Sequence, residues 1–482
     1  MKLSDASLLK EHSYINGAWV GTPEVAVTNP ATGAELAKVP NLGRLETDEA
    51  IAAADDAFKI WSKMTAKERE ALMKAWFRAI MDAQEDIAQI MTAEQGKPIA
   101  EARGEVAYAA SFVEYYAEEA KRVLGETIPH FAHGSRVVCV KQPLGVIGAI
   151  TPWNFPAAMI TRKVCPAMAV GCTAVIKPAP DTPLTALALA ELAHRVGIPK
   201  GVLNIVTGDA VEIGKSLCES STVRFIGFTG STPVGKLLMK QSADTVKRVG
   251  LELGGNAPFI VFDDADVDSA VEGAMISKFR NTGQTCVCAN RIFVQDAIYD
   301  EFVEKLAAKV AELKVGDGTK DGVTQGPLIN DKAVEKIESH VKDAVSKGGK
   351  LVIGGKRHAL GGTYYEPTIV RDVTREMKVS VEETFGPLAP VYRFRTEDEV
   401  VALANDTNSG LASYFYSRDI GRVWRVAEAL EYGMVGINSG LISSEMVPFG
   451  GVKESGLGRE GSHHGIDEFV ETKYMLFAGL DS

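Results

Sequence analysis

The sequence predicts an α/β protein with parallel sheet in two successive regions. Short apolar runs alternate with helical patterns between residues 146 and 252, and the alternation resumes from Pro258 to about Gly456. Length sets the scale. A chain of 482 residues exceeds one comfortable core, so two or three domains are expected.

The elements follow from periodicity, taken in order. Thr47 to Trp61, Ala66 to Ile90 and Glu101 to Gly125 read as amphipathic helices, Ala-rich with apolar residues three and four apart. Arg136 to Lys141 reads as a strand, ended by Gln142-Pro143-Leu144-Gly145. Val146 to Ile150 and Thr173 to Ile176 are apolar runs before Pro-rich turns, which suits buried parallel strands. Thr185 to Val196 reads as a helix leading to the strand Val202 to Val206. Val223 to Phe228 is a further strand and Ser231 to Ser242 a further helix. The second region holds helices near 266–280, 297–313 and 331–347. No internal repeat, low-complexity tract or linker stands out, so the domains are expected to pack closely.

Composition removes several function classes. Hydrophobic residues make up 46% and charged residues 24%, ordinary values for a soluble globular chain. Lys and Arg number 52 against 63 Asp and Glu, a net charge of −11 with no basic block. A nucleic-acid groove or an anionic membrane surface would need the opposite sign. The N-terminus lacks the apolar core of a signal peptide, and no window holds 18 uninterrupted apolar residues. The cytosol is the expected compartment. Six Cys in so long a chain make no disulfide framework. The Cys286-Val287-Cys288 spacing is too tight for structural zinc, so no metal is expected.

Three segments carry chemistry. Cys286, in Phe279-Arg280-Asn281-Thr282-Gly283-Gln284-Thr285-Cys286, stands among small and polar residues, where a lowered pKa would make it a thiolate nucleophile. Leu251-Glu252-Leu253-Gly254-Gly255 places a carboxylate beside a double glycine, which lets backbone and ligand approach a potential base closely. Thr151-Pro152-Trp153-Asn154-Phe155-Pro156 supplies a side-chain amide. A weaker signal is Phe228-Thr229-Gly230-Ser231, a Gly-Ser turn between a strand and a helix. Free amides at such a helix start favour phosphate, although this is not the GxGxxG fingerprint, and Ser231 could simply be an N-cap.

Together with Glu383-Thr384-Phe385-Gly386-Pro387 and Pro448-Phe449-Gly450-Gly451, these motifs resemble the aldehyde dehydrogenase superfamily in order and spacing, over nearly the whole chain. Within it the chain is most similar to the succinate-semialdehyde dehydrogenases, through Met159-Ile160-Thr161-Arg162-Lys163, Phe279-Arg280-Asn281, Cys286-Val287-Cys288 and Leu441-Ile442-Ser443-Ser444. The resemblance implies two Rossmann-like α/β domains and a small β oligomerisation element. Residues 1–126 and 146–252 would bind cofactor, 253–460 would be catalytic, and 127–145 with 461–482 would bridge subunits as a homodimer or homotetramer. The strand Phe469 to Met475 has edge character and is expected to pair with another subunit.

The same resemblance assigns roles. Cys286 would attack the aldehyde carbon to give a thiohemiacetal, and Asn154 with the Cys286 amide would hold the oxyanion. Hydride would pass to the nicotinamide, and Glu252 would activate water to hydrolyse the resulting thioester. Glu460 matches a carboxylate linked to proton relay, and Lys163 would position Asn154 or Glu252 electrostatically. Lys177 and Glu383 would meet the two riboses, and Phe385 would pack behind the nicotinamide. Trp153, Thr229, Gly230, Ser231 and Leu253 would complete the cofactor site. Pro180 stands where NAD-preferring relatives carry Glu, so repulsion of a 2′-phosphate is missing. NADP is favoured and NAD remains usable. Arg162 and Arg280 match carboxylate-binding positions and Ser443 an accompanying hydroxyl. Together they imply succinate semialdehyde, with glutarate semialdehyde as the alternative. Cys288 matches a position that can form a disulfide with the catalytic cysteine.

Overall fold

The alternating segments fold into two separate sheets in a computed structural model that describes residues 1–481. Five parallel strands centre the first sheet, in the order Leu203–Ile205, Thr173–Lys177, Val146–Ile150, Val223–Thr229 and Arg248–Glu252. Two short strands of an N-terminal hairpin, Ser13–Ile15 and Ala18–Val20, extend one edge. The other edge is closed by Gly456–Leu457, which returns antiparallel from the far end of the chain so that Gly456 faces Glu252. This short strand lies in the stretch 253–460, yet it joins the first sheet.

The second sheet has seven strands. Thr368–Arg371, Leu388–Phe394, Ala289–Gln295, Ala257–Val261, Ala412–Tyr416 and Met434–Ile437 run parallel, and Lys350–Ile353 is an antiparallel edge. A third, antiparallel sheet joins Glu126–Ile128, Arg136–Pro143 and Val470–Phe477. Val470–Phe477 stands at its edge and is exposed after its first residue. Among the described residues no helix is long and apolar enough to cross a membrane.

Two helical stretches depart from the periodicity reading. The pattern from Ala66 to Ile90 is two helices, Ala66–Asp82 and Gln84–Gln95, parted at Ala83. Acidic residues explain the break. Glu85 and Asp86 favour a helix start, and Asp86 leaves the helix line to accept from the Ser4 and Asp5 amides at 2.7 and 2.9 Å. The helix Ala158–Val170 has no amphipathic pattern to betray it, because all thirteen of its residues are buried and Pro166 sits inside it. The long helix Ile99–Glu119 packs on it, with small residues Ala102, Ala109 and Ala110 in the core. Trp61 and Trp76 are wholly buried against this layer and donate to the carbonyls of Met168 and Leu189, each at 3.0 Å. Truncating either to Ala would cost about 3–5 kcal/mol.

Candidate active site

Asn154 is buried in the turn between the strand Val146–Ile150 and the helix Ala158–Val170. One amide hydrogen donates to the Gln284 carbonyl at 3.1 Å, which leaves the second free to donate elsewhere. The backbone is fixed from behind: the Asn154 carbonyl accepts from Lys97 Nζ at 2.7 Å and from Asn281 Nδ2 at 3.0 Å. Lys97 is ion-paired with Glu105, both side chains almost fully buried. Glu105 in turn accepts from the Ala157 and Ala158 amides at 3.0 and 3.3 Å, at the start of the helix. Sequence reasoning missed Lys97, Glu105 and the Asn281 side chain. A signal existed in Glu105, a charge on the same buried stripe as Ala102, Val106 and Ala109.

Cys286 follows a strained turn. Asn281, Thr282 and Gly283 all take left-handed backbone angles, φ 51°, 55° and 75°, and a β-branched Thr rarely does so. Side chains hold the turn: Gln95 donates to Asn281 Oδ1 at 3.1 Å, and Thr282 Oγ1 to the Gly326 carbonyl at 3.2 Å. The loop also passes directly over Gly255, where a Cβ would collide with the Cys286 carbonyl oxygen. Burial pushes the Cys286 thiol up to about 12, with Glu383 and Glu252 adding to the rise and Arg162 opposing it. The resting sulfur is therefore a thiol, not the lowered-pKa thiolate that its small polar neighbours suggest. Cys288 is buried and its Sγ donates to the Lys278 carbonyl at 3.0 Å. Both cysteines are free.

Glu252 ends its strand in a buried setting, with Oε2 lacking any partner. Burial first, and then the Glu460 charge, raise its pKa well above the usual range. Glu460 shows the opposite balance. Burial raises it, but Lys163 and Arg162 outweigh burial and hold it as an anion. Lys163 Nζ lies 2.5 Å from Oε1 and Arg162 Nη2 2.7 Å from Oε2. The two environments thus push the carboxyls apart, Glu252 toward the neutral acid and Glu460 toward the paired anion, the usual mark of divided acid–base roles. Behind Glu252 a gap of about 20 Å³, lined in part by Glu460, Arg459 and Glu468, has room for about one water.

One cavity of about 350 Å³ gathers Trp153, Asn154, Thr229, Gly230, Ser231, Glu252, Leu253, Cys286, Glu383 and Phe385. Its features fit a dinucleotide. Thr229 Oγ1 is buried without a partner, and Ser231 caps the helix Thr232–Ser242 with no side-chain bond. That differs from the plain N-cap reading and leaves the helix amides open to an anion. Glu383 accepts from the Gly255 amide at 3.2 Å, and burial lifts it to about 7. Phe385, at φ 56°, meets the Trp153 ring edge-on at 5.6 Å. Lys177 and Pro180 do not line this cavity. Lys177 is buried at the end of the adjacent strand, where it pairs in register with Ile150. Burial lowers it to about 8 against the pull of Asp181 and Asp209.

A second cavity of about 560 Å³ shares no lining residue with the first, and Arg280, Ser443 and Tyr108 line it. Arg280 forms no ion pair or side-chain hydrogen bond among the described residues; its Cζ stands 5.0 Å from the Phe155 ring centre. Arg162 is not beside it. Arg162 is buried, its Cζ 3.9 Å from the Phe449 ring centre, and it is already paired with Glu460. The structure brings Arg280 and Ser443 to one cavity and places Arg162 outside its lining, as a charge acting on Glu460, Tyr108, Glu252 and Cys286.

A thiol, a carboxyl group and a spare amide donor on the wall of one cavity define a class: dehydrogenases that work through a covalent sulfur adduct. The aldehyde dehydrogenase family profile matches residues 19–475. The chain belongs to the aldehyde dehydrogenase family, whose members oxidise aldehydes with NAD or NADP. It is 60% identical to 3-sulfolactaldehyde dehydrogenase of Pseudomonas putida and 60% identical to glutarate-semialdehyde dehydrogenase of Pseudomonas aeruginosa, covering 100% of each chain. It is 58% identical to the NADP(+) succinate-semialdehyde dehydrogenase of Escherichia coli, over 98% of this chain and 99% of that one. A solved succinate-semialdehyde dehydrogenase from Burkholderia pseudomallei superposes with a TM-score of 0.98 at 60% identity, covering 99% of this chain and 100% of the other.

Proposed function

We propose that the protein oxidises succinate semialdehyde to succinate, using NADP in preference to NAD. The observation that carries the reading is Arg280, a cation without an ion-pair partner among the described residues, on the wall of the second cavity beside Ser443. An aldehyde with an acid group at its far end supplies the missing anion, and guanidinium binds carboxylate well. The relatives named for glutarate semialdehyde and sulfolactaldehyde also take aldehydes with anionic ends, which supports the class and keeps glutarate semialdehyde as the second reading.

Buried polar atoms without partners among the described residues stand on both cavity walls, Asn154 Oδ1 and Glu252 Oε2 on the first and Tyr108 Oη on the second. Cys286 passes its proton to water in the cavity and attacks the aldehyde carbon as the thiolate. The free Asn154 hydrogen steadies the oxyanion, a contact worth roughly 3–4 kcal/mol in the transition state. The bound nicotinamide supplies the hydride acceptor. Glu252 loses its proton through the narrow gap behind it and then takes one from the water that cleaves the thioester. Glu460 stays an anion between Lys163 and Arg162 and fixes the field in which Glu252 titrates. A Cys286–Cys288 disulfide belongs to the same reading, and forming it would break the bond from Cys288 to the Lys278 carbonyl. Subunits join through the exposed edge of Val470–Phe477 into dimers or tetramers, and the enzyme works in the cytosol.

Initial rates on four- and five-carbon semialdehydes and butanal, each with NAD and NADP, test the reading. The expected result is highest kcat/KM for succinate semialdehyde with NADP. Equal kcat/KM for butanal would overturn it.

A further inference from the structure

Tyr108 has a hydroxyl that the fold does not use. The helix Ile99–Glu119 presents Glu101, Gly104 and Tyr108 along one face of the second cavity, where Gly104 leaves open space. The Tyr108 ring is packed edge-on against Phe112, with centroids 5.0 Å apart. Its oxygen is shut off from solvent and has no hydrogen-bond partner among the described residues. A buried phenol in that state has given up its hydrogen bond to water and regains one only if something arrives to accept its proton.

The neighbours narrow what that can be. The charged and titratable groups that act most strongly on Tyr108 are Arg162, Arg280, Glu460 and Cys286. Both arginines are donors only and cannot take the phenol proton. Glu460 already faces Lys163 and Arg162 with its two oxygens. Glu101 lies two helical turns away, roughly 10 Å along the axis, and accepts from the Asn281 amide at 2.7 Å. Gln325 Oε1, on the same cavity wall, and Glu460 Oε2 are also buried without hydrogen-bond partners among the described residues, yet neither accepts from the phenol, whose proton remains unplaced.

We propose that the Tyr108 hydroxyl donates a hydrogen bond to the anionic end of the substrate, beside Arg280 and Ser443, and so helps select acid-bearing aldehydes over uncharged ones. This rests on the functional reading above and assigns one more group to the same site. A carboxylate or a sulfonate satisfies the phenol equally, since each brings an acceptor oxygen and a negative charge. An alkyl terminus leaves the phenol and Arg280 without partners in a dry pocket.

The test compares wild type with Tyr108→Phe, which keeps the ring packed on Phe112. Rates are measured on succinate semialdehyde and on butanal. The expected result is a fall of about 10- to 100-fold in the ratio of kcat/KM for the two aldehydes, carried mainly by KM for the semialdehyde. A ratio unchanged in the variant, whether both rates fall or neither does, would overturn the inference and leave the phenol a packing group. A wild-type enzyme indifferent to substrate charge would sink the functional reading, and this inference with it. Thermal unfolding of the variant separates the arms further, because a purely structural phenol would lower Tm without moving the ratio.

Discussion

The two cavities are built in different ways. The cofactor-side cavity is lined by short contiguous runs, residues 152–154, 229–231, 252–254 and 383–385. Three of these runs sit where strands end, as the loops of a parallel sheet do when they bind ligands. The second cavity collects Glu101 and Tyr108 from one helix face, Phe279 and Arg280 from another helix end, and Ser443 from a late loop. The first is dictated by backbone geometry, so few substitutions fit it. The second depends on single side chains projecting from sound secondary structure, and it can change its preference without disturbing the fold.

That contrast can be broken experimentally. Cys286→Ala carries the largest expected effect: a loss of about 10⁴-fold or more in kcat with dinucleotide binding retained, read by turnover and by fluorescence titration. Loss of dinucleotide binding as well would mean that the first cavity depends on the thiol. Lys97→Met comes next. It leaves Glu105 buried without its cation, so unfolding in denaturant should show about 3–5 kcal/mol less stability. A change below 1 kcal/mol would deny that this pair braces the Asn154 turn. Arg280→Met should raise KM for succinate semialdehyde about 10- to 100-fold and leave the NADP dissociation constant within twofold, which separates the cavities directly. The smallest effect concerns pH. Lys177 in the folded protein sits near 8, below its ordinary 10.5, and only its protonated form attracts a phosphate. NADP affinity should weaken as pH rises through about 8, by at most tenfold per unit, while NAD affinity moves less. Parallel curves for the two dinucleotides would remove Lys177 from the choice between them.

The sequence reveals the first cavity far better than the second. Cys286, Glu252, Asn154 and Glu383 stand in local motifs whose glycines and prolines announce a turn beside a strand. The parallel strands were legible for the same reason, as apolar runs between helical patterns. Buried polarity was not. Lys97 and Glu105 are eight residues apart, and their purpose appears only when the Asn154 carbonyl is placed between them and Asn281. Arg162 matched a carboxylate-binding position, but its partner Glu460 is 298 residues away and no local pattern links them. The helix Ala158–Val170 escaped periodicity because burial on every side erases the polar face that periodicity needs.

The field around Glu252 depends on the last part of the chain to be synthesised. Glu460 lies between Lys163 and Arg162, and Gly456–Leu457 closes the sheet against Glu252. The closing strand of the first sheet and this counter-ion therefore arrive together, from one short segment. With Glu460 absent, Arg162 and Lys163 would face Glu252 without their counter-ion and draw it toward its ionised form.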